Sequence, residues 1–309
     1  MEHPMHERLV LGTEVADALA AGTPIVAMES TIYSNLGLPA PANAEALARC
    51  TAAIRRQGAV PALTAVLDGR WRVGVEPAEH ERVLAGSHKI AERDLAVAAA
   101  QRLDVGVTTV SATVALSHLA GISVFSTGGI GGVHRGSEVS GDVSADLDAM
   151  ASHPVITVCA GAKAFLDLAK TLEVLETAGV PVLGWQHDWL PAFYTRSSGL
   201  PVPTRVENPA EVADVLRFRI RATTGVLLTV PIPEADELDP ARIEACLKAA
   251  LDACARDGVT GGAVTPYVLG RLEQETGGES VGANLALAEH NADVAAQVAM
   301  AVANPARPS

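Results

Sequence analysis

Lys163, Glu29 and the aspartates Asp142 and Asp146 stand where side-chain chemistry is most readily arranged in this chain. Lys163 follows the apolar run Val155–Cys159 and the tripeptide Ala160-Gly161-Ala162. The stretch Ala162–Ala178 reads as a long amphipathic helix, which sets the lysine at a helix N-terminus, where the dipole disfavours an ammonium. A neutral amine is the nucleophile that Schiff-base formation with a sugar aldehyde requires. The plainer alternatives are a phosphate-binding lysine or a solvated one. Glu29 closes the apolar run Ile25–Met28 and precedes Ser30-Thr31. Partial burial would raise its pKa and suit it to acid or base work, whereas a cap of a first helical turn is the bland reading. Asp142 and Asp146 are four positions apart. On a helix they share a face and can offer oxygens to Mg²⁺ or Mn²⁺. They serve equally well as an N-cap and a dipole-compensating residue of the first turn.

Between these groups lies Thr127-Gly-Gly-Ile-Gly-Gly-Val-His134-Arg135-Gly136. Its glycines allow close backbone approach to a ligand, and exposed amides beside a hydroxyl, an imidazole and a guanidinium suit an anion such as phosphate. A turn that binds nothing is the alternative. Lys89, Thr127, His134 and Ser144 are candidate phosphate ligands. Asn284, His290 and Asn291 interrupt an apolar C-terminal helix and call for polar partners, across helices or in a pocket. Trp185, Trp189 and Phe193 read as packing residues, and Leu190–Tyr194 as a candidate lid.

The elements that position these residues alternate. Strand-like runs at Ile25–Met28, Pro61–Leu67, Val107–Val110, Ile122–Ser126, Val155–Cys159, Val180–Leu183 and Val226–Val230 are separated by helical stretches. Asp68-Gly69 signals a hairpin, with Trp71–Val75 returning. Helices are expected at 42–57, 79–84, 91–103, 112–119, 144–150 and 211–221, and from Pro240 onward. This alternation predicts an α/β fold: three α/β/α layers, a largely parallel central sheet and a helical C-terminal cover, as one domain over 1–309. Right-handed crossovers gather the strand ends on one side, where ligands bind.

Composition narrows the function classes. Aromatic residues are only 3% against 49% hydrophobic overall, so Ala, Val and Leu form the core. A net charge of −13 argues against nucleic-acid backbone binding, which needs clustered Lys and Arg, but leaves room for a small anionic substrate in a locally positive pocket. Cys50, Cys159, Cys246 and Cys254 lack metal-type spacing and read as core residues in a reducing compartment. No basic-then-apolar start and no membrane-length apolar run is present, which points to a cytoplasmic protein without membrane partners.

Taken together, the motifs resemble the pseudouridine-5'-phosphate glycosidase family over nearly the whole chain. They run in order through Met28-Glu-Ser-Thr-Ile32, Lys89-Ile-Ala-Glu-Arg-Asp94, Ser126–Arg135, Asp142-Val-Ser-Ala-Asp146, Cys159-Ala-Gly-Ala-Lys163, Leu190-Pro-Ala-Phe193, Pro231-Ile-Pro-Glu234 and Asn284. The resemblance implies a lyase that reversibly cleaves the C–C glycosidic bond of pseudouridine 5'-phosphate to uracil and ribose 5-phosphate. It also implies a homotrimer and one Mn²⁺ per subunit. By resemblance, Lys163 forms an imine with ring-opened ribose, Glu29 is the acid/base and Asp142 holds the metal. Lys89, Val110, Ser144, Ala145, Asp146 and Asn284 bind substrate, with Thr127 and His134 on the phosphate. Such a lysine is chemically apt, because a C-glycoside lacks an easily protonated leaving atom and an iminium supplies an electron sink. The chain departs from the family pattern at Glu92, at His290 and through residues 184–207. A Schiff-base aldolase on another sugar phosphate is the nearest rival; a sugar kinase lacks its anion-hole motif here, and a sugar-phosphate sensor would not need Lys163.

Overall fold

Short runs rich in Val, Ile and Thr form the strands, and their positions decide where the chemistry-bearing residues emerge. The computed structural model of the protein describes residues 7–259 and 261–304; residues 1–6, where a targeting signal would begin, lie outside them. The strands are β1 (Leu9–Leu11), β2 (Ile25–Met28), β3 (Val60–Leu67), β4 (Arg70–Val73), β5 (Lys89–Ile90), β6 (Val105–Thr108), β7 (Val124–Ser126), β8 (Ile156–Cys159), β9 (Val182–Trp185), β10 (Thr204–Val206) and β11 (Val226–Thr229). The main path of the sheet is β1-β4-β3-β2-β7-β8-β11-β9-β10, with β6 joined to β3 and β5 to β6. β3 meets β4 and β6 antiparallel, and the other pairings are parallel. Asp68 and Gly69 both have positive φ, at 53° and 71°, as a type I′ hairpin turn requires.

Every residue of β2, β8, β9 and β11 is buried, as expected for parallel strands covered on both faces. Each fully buried Val, Leu or Ile there stabilises the fold by roughly 1.5–3 kcal/mol. The helices Ala42–Arg56, Pro209–Phe218 and Glu279–Ala303 form one layer and the helices Val110–Leu119 and Ala145–Ser152 the other. The C-terminal part is helical as expected, but Glu279–Ala303 is more than a cover. It lies directly on β2, β7 and β8 and buries Asn284, Leu287, Asn291 and Val298. Among the described residues no helix is long and apolar enough to cross a membrane. Cys50, Cys159 and Cys254 are buried, Cys246 is partly so, and all four are free.

Three sequence expectations shift. Residues 91–103 form only a 3₁₀ turn, Glu92–Asp94, and the short helix Leu95–Ala100. β6 ends at Thr108, so Val110 opens a helix instead of closing a strand. Most consequentially, the helix after β8 runs Leu168–Ala178, capped by Asp167, and not from Lys163. The reason is a competing partner. Residues 160–167 zip onto the Gly-rich loop: Ala160 N–H donates to Gly128 O, Ile130 N–H to Gly161 O, Lys163 N–H to Ile130 O and Asp167 N–H to Val133 O, at 2.9–3.1 Å. Backbone bonded in this way cannot also form a helical turn.

Candidate active site

Parallel register brings the critical residues to one edge. Met28 lies opposite Ser126, and Ser126 opposite Val158, so β2, β7 and β8 end side by side. Glu29, Thr127 and the segment leading to Lys163 therefore leave the sheet together. The cleft above them has two lobes. One, of about 320 Å³, is largely apolar, lined by Ile32, Leu36, Phe193, Pro266 and Leu269 with Thr127 and Asn284. The other, of about 510 Å³, is polar, with Arg93, Ser111, His134, Asp142, Ser144 and Asp146. Glu29, Lys89 and Lys163 line both and so stand at the junction. Val110 and Ala145 also face the polar lobe. The catalytic, substrate-binding and metal candidates read from the sequence all border one or other lobe, whereas Arg135, His290 and Asn291 line neither.

Glu29 is 6% exposed and accepts a very short hydrogen bond from the Thr127 hydroxyl on Oε1. Burial pushes its carboxyl up to about 7, against the lowering influence of the Lys163 ammonium and the Thr127 hydroxyl. A carboxyl poised there can both give and take a proton near neutrality. Lys89 is open to solvent as a residue, yet crowding of its ammonium, then repulsion by Lys163, lowers its pKa. With the helix starting at Leu168, Lys163 is not at the N-terminus of the helix that follows it. What sets it apart is its company: Glu29, Lys89 and Asp146 around one junction.

Beneath Glu29 a buried hydroxyl cluster fixes the turn after β2. Thr108 Oγ1 lies 2.8 Å from Thr64 Oγ1 and 3.1 Å from Ser30 Oγ, and Thr31 Oγ1 donates to Thr108 O at 2.7 Å. Such a satisfied network rigidifies the residues it joins.

Part of the Gly-rich loop's backbone is bonded within the protein and so is not free to cradle an anion. The N–H groups of Ile130, Gly131, Val133 and His134 all donate to protein acceptors. Gly131 N–H donates to Asp146 Oδ2 at 2.8 Å, and Ser111 N–H to Asp146 Oδ1 at 3.0 Å. A Cβ at Gly131 would lie 2.8 Å from Asp146 Oδ2 and closer still to Ser144, so glycine is what lets this carboxylate and its neighbour close on the backbone. Asn291, fully buried, donates from Nδ2 to the carbonyls of Thr127 and Gly128, which gives its N–H groups partners while its Oδ1 has none among the described residues. Arg135 is engaged with Phe165 O and does not line the cleft.

Asp142 and Asp146 do not share a helical face. The helix starts at Ala145 with Ser144 as its N-cap, leaving Asp142 in the preceding loop. Asp142 Oδ2 lies 3.8 Å from His134 Nδ1, both facing the polar lobe. Among the described residues no three His, Cys, Asp or Glu side chains converge as a metal cage. One carboxylate with a neighbouring imidazole fits a hydrated Mg²⁺ or Mn²⁺, which keeps several waters, and not a closed protein site.

Sequence reasoning missed Arg93, Ser111 and Thr265 as lining residues, and it assigned Phe193 to packing. Phe193 does pack, 3% exposed and edge-on to the Tyr194 ring, and it also walls the apolar lobe, with φ at 65°, a left-handed conformation uncommon for an aromatic residue, held by its N–H to Ala160 O. No local pattern signals this. Trp185 is buried as expected, while Trp189 is 46% exposed.

Comparisons with known proteins agree with this architecture. The sequence profile described as indigoidine synthase A like protein matches residues 14–301. A pseudouridine-5'-phosphate glycosidase of Rhodospirillum centenum is 52% identical, over 97% of this chain and 94% of its own. That of Myxococcus xanthus is 49% identical, over 94% of this chain and 97% of its own. Among solved structures, the prealnumycin C-glycosynthase AlnA, in complex with ribulose 5-phosphate, superposes with a TM-score of 0.87. It is 37% identical and covers 96% of this chain and 97% of its own.

Proposed function

The chain belongs to the pseudouridine-5'-phosphate glycosidase family of indigoidine synthase A like enzymes, and from that premise we propose that it cleaves pseudouridine 5'-phosphate reversibly to uracil and ribose 5-phosphate through a Lys163 imine. The observation that carries this reading is the junction itself. A buried carboxyl poised near 7 and a cleft-lining lysine meet where a polar lobe joins an apolar one.

A nucleotide fits that division. The 5'-phosphate takes the polar lobe, beside Lys89, His134 and Ser144, and binding there orients the distant reacting carbon. The base takes the apolar lobe, walled by Phe193 and Leu269, and the buried, otherwise unpartnered Asn284 Oδ1 accepts one of its N–H groups. C1' then lies at the junction. Protonated Glu29 gives a proton to the ribose oxygen as the ring opens, and the Lys163 amine bonds to C1'. The nitrogen lone pair expels the base carbon, which takes a proton, and C1' becomes an iminium carbon. Water hydrolyses this linkage, freeing ribose 5-phosphate and the lysine, so that one water is consumed overall.

Asp142, with His134 beside it, would hold a hydrated Mn²⁺, whose charge offsets that of the substrate phosphate. Asp146 positions by gripping Gly131 and Ser111. A homotrimer in the cytoplasm completes the proposal, and light scattering reads the subunit number.

The test is reduction with borohydride during turnover. Ribose 5-phosphate should become fixed to the Lys163 peptide by mass spectrometry, and Lys163→Ala should neither trap sugar nor release uracil. Uracil release with no adduct, or an adduct on Lys89, would overturn the assignment of the nucleophile.

A further inference from the structure

Beyond Asn284 the apolar lobe adjoins a second chamber of about 110 Å³. The two share Leu36, Gly37, Pro266, Leu269 and Asn284 as a common wall. Since roughly 10–15 Å³ suffices for one water, this chamber takes a chain of several heavy atoms. We propose that the enzyme accepts pseudouridine 5'-phosphates whose base carries a substituent on a ring nitrogen, the substituent passing Asn284 into this chamber. The inference rests on the placement of the base argued above.

Three features carry it. Asn284 is only 5% exposed, lines both spaces and keeps a buried Oδ1 without a protein partner, so it marks a ligand-facing boundary. Second, Gly270 borders the chamber but not the base lobe, and sits inside the helix Val264–Thr276, where glycine is unfavourable. Neither a positive φ nor crowding demands it, because a Cβ there would meet no atom within 4 Å. What glycine preserves at this position is open space. Third, the chamber's lining mixes apolar groups, Leu38, Pro39 and Val281, with polar ones, Asn35, Glu273 and Ser280. A substituent with an aliphatic chain and a cation or hydrogen-bond donor matches that mixed lining.

The chemistry is unchanged by the addition. The bond between C1' and the base carbon breaks, that carbon takes a proton, and water hydrolyses the sugar–lysine linkage. The products are an N-substituted uracil and ribose 5-phosphate. Neither ring nitrogen takes part in the bond that breaks.

Pseudouridine 5'-phosphate and its two ring-nitrogen aminopropyl derivatives would be compared by chromatographic release of the base. The native enzyme should cleave at least one derivative with kcat/KM within about tenfold of the parent, because a substituent on the nitrogen that Asn284 does not bond keeps that hydrogen bond and enters open space. Gly270→Leu, which fills the chamber, should lower that value by about tenfold or more while leaving the parent within about threefold, the scale of a steric misfit in an apolar pocket. Gly270→Ala, a smaller change that favours the helix, should retain both substrates and guards against a folding artefact. Cleavage of the parent with neither derivative accepted would overturn the proposal and leave the function intact. So would a Gly270→Leu variant that slows parent and derivative alike. Failure on the parent itself would remove the functional reading and this proposal together.

Discussion

Replacing Glu29 with glutamine tests the electrostatics of the junction through stability, independently of turnover. In the folded protein burial raises this carboxyl from 4.5 to about 7, with Lys163 and the Thr127 hydroxyl pulling the other way. Between those two values the native state holds a proton that the unfolded chain has lost. Stability therefore falls as pH rises through the window and stays lower above it. Each tenfold change in the ionisation constant is worth about 1.36 kcal/mol, so the native state gives up about 3 kcal/mol once Glu29 is ionised. Glutamine has nearly the same shape and no charge to bury. The advantage of Glu29→Gln over the native chain should consequently grow by about 2 to 3 kcal/mol between about pH 5 and pH 8.5. Urea denaturation of both proteins at one protein concentration, repeated across that range, gives the difference directly. A difference that stays flat would refute the raised pKa. One that turns against glutamine at high pH would show the ionised carboxylate to be stabilised by Lys163 beyond the cost of burial. The same variant should lose about 10²–10⁴-fold in kcat as the proton donor disappears. Greater stability with less activity is the expected mark of a group held for function.

Asn291→Leu removes the donor to Thr127 O and Gly128 O and should destabilise the protein by about 1–3 kcal/mol, read as a lowered thermal midpoint. An unchanged midpoint would mean that these carbonyls need no partner. Asp142→Ala should leave folding intact, since Asp142 stands in a loop, partly exposed. After chelation, added Mn²⁺ should restore uracil release to the native enzyme and not to this variant; equal restoration would move the metal elsewhere.

Much of the architecture follows from local pattern. The apolar runs at Ile25–Met28, Val155–Cys159 and Val226–Val230 and the Asp68-Gly69 turn each state their role through neighbours close in sequence. Burial period and turn chemistry are short-range properties, so a single chain suffices to read them. The ordered motifs from Met28 to Asn284 likewise pointed to the family without coordinates. What only the tertiary structure decided involves partners far apart in the chain. Residues 160–167 are helix-compatible by composition, and the Gly-rich loop claims their backbone instead. The loop's own amides read as an anion cradle, yet Gly131 N–H goes to Asp146 and those of Ile130, Val133 and His134 to Gly161, Thr171 and Asp142. The pKa of Glu29 depends on Lys163 and Thr127 as well as on burial, and these meet it only because β2, β7 and β8 end in register. Phe193 and the chamber behind Asn284 depend on the packing of segments remote from the sheet. Hydrogen-bond competition and desolvation act through space between residues that the sequence separates, and folding alone brings them together.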